Sequence, residues 1–350
     1  MSSMQPGTFR LFLALLVVIH HSFPLRLGAW AVGMFFALSG FWISRMWRRK
    51  YAKLDAPYTE FLASRWWRLA PVFLTVHLIA VILTLSGYRV GNPAAISDWR
   101  WVVTQPLIAG STQVTRLLPP SWSLDVEMQF YLCAPLLVVG MASLSKRDAG
   151  CFVLALLCWS VLRLCIIRSF EEAKLDIFAW IFAVGCLCER FDFHPTPGMV
   201  TASATTVGCL ILLTFGFTET HSLVWLRGSQ ETTAATWLQT GYFVLLVSAG
   251  IPFAMDTVGR RSSPWDRWLG DLSYPLYMFH WLPREWYYAH VDLNGPWWHS
   301  LTMLGVNITV ALGGAVVILQ LVDRPLQNLR SRRLASSLPN TAPQPNISNV

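Results

Sequence analysis

The chain has 350 residues, 54% of them hydrophobic and only 13% charged, about half the charged share of roughly 25% in a soluble domain. That balance excludes a disordered chain, a nucleic-acid-binding tail protein and a disulfide-knotted secreted module, and it leaves an integral membrane protein. The formal charge of +8 would suggest nucleic acid in a soluble protein, but the basic residues cluster in short loops between apolar spans, where orientation and lipid headgroups account for them.

The first apolar run, 11–19, is too short for a full crossing of about 20 residues. His20 and His21 follow it directly, with no small-residue cleavage site nearby, so the reading is a retained helix over 8–25 rather than a signal peptide. Further apolar segments fall at 29–46, 69–87, 122–142, 149–167, 176–190, 199–217, 234–255, 268–289 and 297–321. The expectation is an all-α bundle of about ten transmembrane helices over residues 1–334, followed by a polar, Pro/Asn/Ser-rich disordered tail over 335–350. With the N-terminus inside, 18 of the 27 basic residues fall on the inner side, which favours an N-in, C-in arrangement. The seven cysteines lie in or beside apolar runs, none with zinc-ligand spacing, and read as buried free thiols; no metal is expected.

Several polar groups stand inside these spans, where an ionisable side chain is costly and reads as functional. Arg10 and His21 are eleven residues apart, close to three helical turns, so they share a face with His21 about 16 Å beyond Arg10. A histidine there could take a proton from a hydroxyl. Arg65 and Arg68 share a face at i, i+3, and guanidinium forks suit phosphate oxygens, although phospholipid contacts at a basic loop would read the same way. Glu127 enters the membrane on a helix and is a candidate for orienting or protonating His21. Asp125, about 200° away, reads as complementing the helix start. Ser39 and Gly40 sit amid aromatics, where close helix packing suffices to explain them. Tyr277 and His280 share a face in the ninth span, as packing or as a polar wall; His77 reads as a core residue.

Together these segments resemble the membrane-bound acyltransferase-3 family. The Arg-x10-His pattern is met by Arg10 and His21, FF-x-x-SGF by 35–41, Arg-x-x-Arg by Arg65 and Arg68, WSL-x-x-E by 122–127, and SY-x-x-Y-x-x-H by 273–280. The resemblance implies a ten-helix fold without an appended domain, a bacterial inner (cytoplasmic) membrane, acyl-CoA as donor, and delivery of the acyl group to an acceptor on the outer side. On that basis the expected reaction is O-acetyl transfer from acetyl-CoA, a co-substrate, to an exopolysaccharide or other surface glycan or its lipid-linked precursor. Arg65, Arg68 and Arg10 would hold the CoA phosphates. His21, oriented by Glu127, would serve as general base or as a covalent acyl relay, and Ser39, Tyr277 or His280 would line the acceptor or oxyanion position. A small hydroxylated acceptor such as a macrolide or glycolipid is the alternative substrate. A proton-coupled transporter or a non-catalytic scaffold for polysaccharide assembly are the alternatives of other classes.

Overall fold

A computed structural model describes residues 4–336 except 24, 89, 91, 111–115, 168–173, 217–222, 224–232 and 291–295. Helix satisfies backbone polar groups within its own segment, as lipid demands, and among the described residues the regular elements are helices. In chain order they are α1 (Pro6–Ser22), α2 (Gly28–Arg49), α3 (Pro57–Leu85), α4 (Trp99–Thr104), α5 (Trp122–Ala142), α6 (Lys146–Ile167) and α7 (Leu175–Arg190). There follow α8 (Pro197–Gly216), α9 (Thr233–Val258), α10 (Pro264–Phe279), α11 (Trp281–His290), α12 (Trp297–Ile318) and α13 (Arg324–Ser336). Proline at the first helical turn starts α1, α3 and α10, where its missing N–H costs nothing.

Helix is found in each expected span, but among the described residues six stretches are long and apolar enough to cross a membrane: Pro57–Leu85, Pro119–Ala142, Lys146–Ile166, Pro197–Thr214, Trp237–Val258 and Trp298–Arg330. Among the helices that fall short, α1, α2, α7 and α10 pack closely against one another. α2 packs most extensively on α7, and α1 on α10. Two close crossings make this possible. A Cβ added at Gly40 would run into the backbone carbonyl of Phe182, and one at Gly185 into that of Ala37. Likewise a Cβ at Gly7 would meet the backbone of Asp266. Glycine is required there for contact between backbones. Helices packed in this way carry polar side chains without presenting them to lipid. By contrast, only 11% of the Pro197–Thr214 window and 17% of the Lys146–Ile166 window is buried in the protein, and Leu154, Leu162, Leu212 and Leu213 project outward.

Three expectations are corrected. The ninth span, read as continuous over 268–289, is divided at His280 into α10 and α11, across a residue that keeps helical dihedrals (φ −57°, ψ −23°) and donates to the Leu276 carbonyl. The last span does not end near 321: it passes through a π-helical turn, Leu319–Asp323, and continues as α13 to Ser336, so the tail expected from 335 begins in helix and otherwise lies outside the described residues. The seven cysteines are unpaired, but only Cys186 is buried; Cys133, Cys151, Cys158 and Cys209 are exposed on the bundle's outer face, where apolar lipid suits a thiol as well as a core does.

Inside the bundle, Phe36, Phe130 and Phe182 form a stack with centroids 4.6 Å (Phe36–Phe182) and 4.0 Å (Phe130–Phe182) apart. These rings lock α2, α5 and α7 together and so fix where Ser39 and Glu127 face each other.

Candidate active site

α1 carries Arg10 near its start and His21 at its end. The His21 ring stacks on that of His280 (5.4 Å between centroids, 23° between planes) and meets Trp281 edge-on at 5.1 Å. The His21 carbonyl, freed at the helix end, accepts from Arg284 Nε (2.8 Å) and the Tyr288 hydroxyl (3.1 Å). Arg284 itself lies over the Trp281 and Tyr288 rings, 4.1 and 4.4 Å from their centroids, and pairs with Glu285. The division at His280 thus places two rings and a guanidinium around the last turn of α1.

The histidines differ in one respect. Nδ1 of His20, His77 and His280 lies 2.9, 2.9 and 2.6 Å from a backbone carbonyl, those of Leu25, Phe73 and Tyr277. Such a bond keeps the proton on Nδ1 and fixes the ring. His290 and His299 are also held by carbonyls, and His194 by Asp192. Among the described histidines, His21 is the one whose ring nitrogens make no hydrogen bond to described residues. Its imidazole is positioned by stacking and by its backbone, with both nitrogens left for a ligand. His280, fully buried, has its Nε2 unpartnered.

Midway along the bundle, Glu127 Oε1 accepts from Ser39 Oγ (3.0 Å) and from the Tyr131 hydroxyl (2.5 Å). The structure therefore brings Ser39 and Glu127 together but forms no Glu127–His21 hydrogen bond; the stacking and capping groups of α10 and α11 orient His21 instead. Ser123 Oγ lies 2.6 Å from the Tyr277 hydroxyl, which also donates to the Pro120 carbonyl at 3.3 Å. These two bonds pin the entry of α5 to α10. Asp125 is buried and accepts from Gln129 Nε2 at 3.2 Å.

The opposite end of α1 is basic. Arg10 lies within electrostatic reach of Arg68, Asp271, Asp266 and Glu127. Arg68 donates to Asp323 at 3.1 and 3.4 Å and lies over the Tyr274 ring, while Gln327 Nε2 donates to the same carboxylate at 3.0 Å. The π-helical turn ends at Asp323 and delivers this nearly enclosed carboxylate to the arginine. Arg65, only 9% exposed, makes two long bonds, to the Tyr51 hydroxyl (3.5 Å) and Ser64 Oγ (3.4 Å), and its Nε is buried without a partner. A clamp of carboxylate Asp266 on Gly7 N, Thr8 N and Thr8 Oγ1, at 2.9, 2.7 and 2.8 Å, holds the start of α1 against α10.

Arg10, Arg65 and Arg68 therefore gather at one end, Ser39 and Glu127 lie between, and His21, His280 and Tyr277 converge at the other. Sequence reasoning missed Tyr131, Tyr51, Asp323, Arg284 and Arg330. Tyr131 stands four residues after Glu127 on the same helix face, a spacing that could have found it, and Arg284 is a charge within an apolar aromatic stretch. For Asp323 the available signal was Pro325, whose missing N–H leaves the Leu321 carbonyl within the π-helical turn without its usual donor.

The chain is 24% identical over 357 aligned residues to the Bacillus subtilis (strain 168) protein named "Putative peptidoglycan O-acetyltransferase YrhL", covering 91% of this chain and 54% of that one. It is 33% identical over 125 residues to the Streptomyces mycarofaciens protein named "Acyltransferase MdmB", covering 31% of this chain and 28% of that one. The chain thus spans about half the length of the first relative and under a third of the second. No solved structure matches it. Residues 8–319 match the family described as "Acyltransferase domain", Acyl_transf_3, and the chain is a multi-pass membrane member of that acyltransferase-3 family.

Proposed function

We propose that the protein transfers an acetyl group from acetyl-CoA to a hydroxyl of a bacterial surface glycan, or its lipid-linked precursor, at the inner membrane. The carrying observation is His21, whose ring nitrogens alone among the described histidines are uncommitted, at the far end of a polar column that begins with three arginines. The family match and the name of the Bacillus relative support acyl transfer to a glycan hydroxyl.

In this reading the arginine end faces the cytoplasm, with both termini inside, and Arg10, Arg65 and Arg68 hold the phosphates of the donor. The pantetheine arm extends along α1, over the roughly 16 Å of helix between Arg10 and His21. The acceptor enters from the other side. His21 takes the proton from its hydroxyl, the oxygen attacks the thioester carbonyl, and the C–S bond breaks. The departing CoA thiolate recovers the proton from the imidazolium. His280 and Trp281 hold the ring in register for this exchange, and Tyr277, fixed to Ser123, forms the polar wall. Glu127, held by Ser39 and Tyr131, places a negative charge between the ends that balances the arginines while no donor is bound.

The test is transfer of labelled acetyl from acetyl-CoA by the protein in lipid, with a crude surface-glycan fraction as acceptor and His21→Ala beside it. CoA release and labelled glycan that both require His21 are expected. Label trapped on the protein without an acceptor would replace the general base by an acyl-histidine relay. No release with any acyl-CoA, together with no CoA binding, would return the protein to the transporter class.

A further inference from the structure

Arg68 has a carboxylate partner, but Arg65 does not, and neither does Arg330 of α13. Among the described residues neither guanidinium makes an ion pair, although each lies within electrostatic reach of the other. Arg330 Nη1 donates to the Ser64 carbonyl at 3.4 Å, the residue whose Oγ accepts from the Tyr51 hydroxyl at 2.7 Å and from Arg65 at 3.4 Å. Ser64 thus joins three donors from α3, α13 and the turn after α2. Nε of Arg65 and Nε of Arg330 are both buried without a hydrogen-bond partner. Burying two like charges side by side with donors unused is unfavourable unless an anion completes the set.

We propose that Arg65, Arg330 and the Tyr51 hydroxyl form a subsite for a phosphate monoester, the 3′-phosphate of the acyl-CoA donor; this rests on the acyl-CoA reading above. The chemistry favours a monoester over the pyrophosphate of the same molecule. A monoester concentrates a charge of about −1.5 to −2 on one group with three terminal oxygens, matching two cations that present Nε–Nη edges. The diester phosphates, with one charge each, suit Arg10 and Arg68, the latter already held in an ion pair with Asp323, whereas Asp323 and Glu127 reach Arg330 and Arg65 only through space. Lys50, whose ammonium lies 5.3 Å from the Tyr51 ring centroid, adds positive charge at the rim. Arg330 stands beyond residue 319, where the family match ends, so α13 would supply a binding residue that the matched segment does not contain.

The experiment is calorimetric titration of the full chain in phosphatidylcholine nanodiscs with CoA and with dephospho-CoA, which lacks only the 3′-phosphate. Wild type is expected to bind CoA about tenfold more tightly than dephospho-CoA. Arg330→Gln should abolish that preference by weakening CoA while leaving dephospho-CoA within about twofold, and Arg330→Lys, which keeps the charge but loses the Nε–Nη edge, should keep only part of it. Tyr51→Phe, which spares both guanidiniums, should reduce the ratio about threefold and reads the subsite even where Arg330→Gln fails to fold. Equal binding of the two ligands by wild type, or a preference that persists in Arg330→Gln, would overturn the subsite. Discs containing phosphatidic acid present the same chemistry as a lipid headgroup and should not compete; loss of the preference there would assign the subsite to lipid and overturn its assignment to CoA. Failure of both ligands to bind wild type would instead remove the acyl-CoA reading, and the subsite with it.

Discussion

At its start α1 lies among guanidinium groups and carboxylates, whereas at its end, eleven residues beyond Arg10, His21 lies among aromatic rings and backbone carbonyls. The basic end gathers four arginines, of which Arg68 has Asp323 as its partner and Arg65 and Arg330 retain buried unused donors. It is arranged to receive negative charge. Among the described residues no carboxylate bonds to the His21 ring, and Glu285, which is nearby, is paired with Arg284. The histidine end is arranged to keep one imidazole oriented and chemically free. Under the proposed function, binding and chemistry would be separated along one helix, so that each is expected to be disturbed without the other.

The largest expected effect on the basic end comes from Arg65→Gln, which should weaken CoA binding by about a hundredfold, with the transfer rate at saturating donor changed less than about threefold. Titration and saturation kinetics on the same preparation check it; a lost rate with intact binding would move Arg65 to the chemistry. Between the two ends, Gly185→Val drives a side chain into the α2–α7 crossing and should cost roughly 1–3 kcal/mol, read as a fall of several degrees in the unfolding midpoint in detergent. At the histidine end, Arg284→Gln removes the donor that holds the His21 carbonyl, and about a tenfold loss of turnover is expected with donor affinity unchanged. Equal losses in turnover and affinity would show that Arg284 merely supports the fold. The smallest effect belongs to His20→Gln. Its Nδ1 is engaged with Leu25, and transfer should stay within about twofold of wild type; a large loss would mean that the wrong histidine of the pair has been assigned.

Much of this contrast is legible in the sequence because it depends on spacing along single helices. Eleven residues put Arg10 and His21 on one face, three put Arg65 beside Arg68, and both relations survive in the structure because α1 and α3 run unbroken through them. The small residues of 39–40 pointed to a close helix crossing, which Gly40 and Gly185 make. Relations between helices were less legible. Glu127 faces Ser39 and Tyr131 rather than His21, since that choice depends on the Phe36–Phe182–Phe130 stack fixing the rotation of α2 against α5. The division at His280 and the π-helical turn at Leu319–Asp323 were not read, although Pro283 and Pro325 follow them closely and each removes an intrahelical N–H donor. Two helices that carry site residues, α1 and α10, fall short of a crossing by length, at 17 and 16 residues, whereas α5, which carries Glu127, is long and apolar enough although 56% of its apolar window is buried.

The most direct test of the separation is one preparation of His21→Ala in lipid, assayed for CoA affinity and for acetyl transfer to the glycan fraction. Affinity should stay within about twofold of wild type while transfer falls by about 10²–10⁴. Transfer that persists, or affinity that falls in parallel with it, would contradict the division of α1 into a binding end and a reacting end.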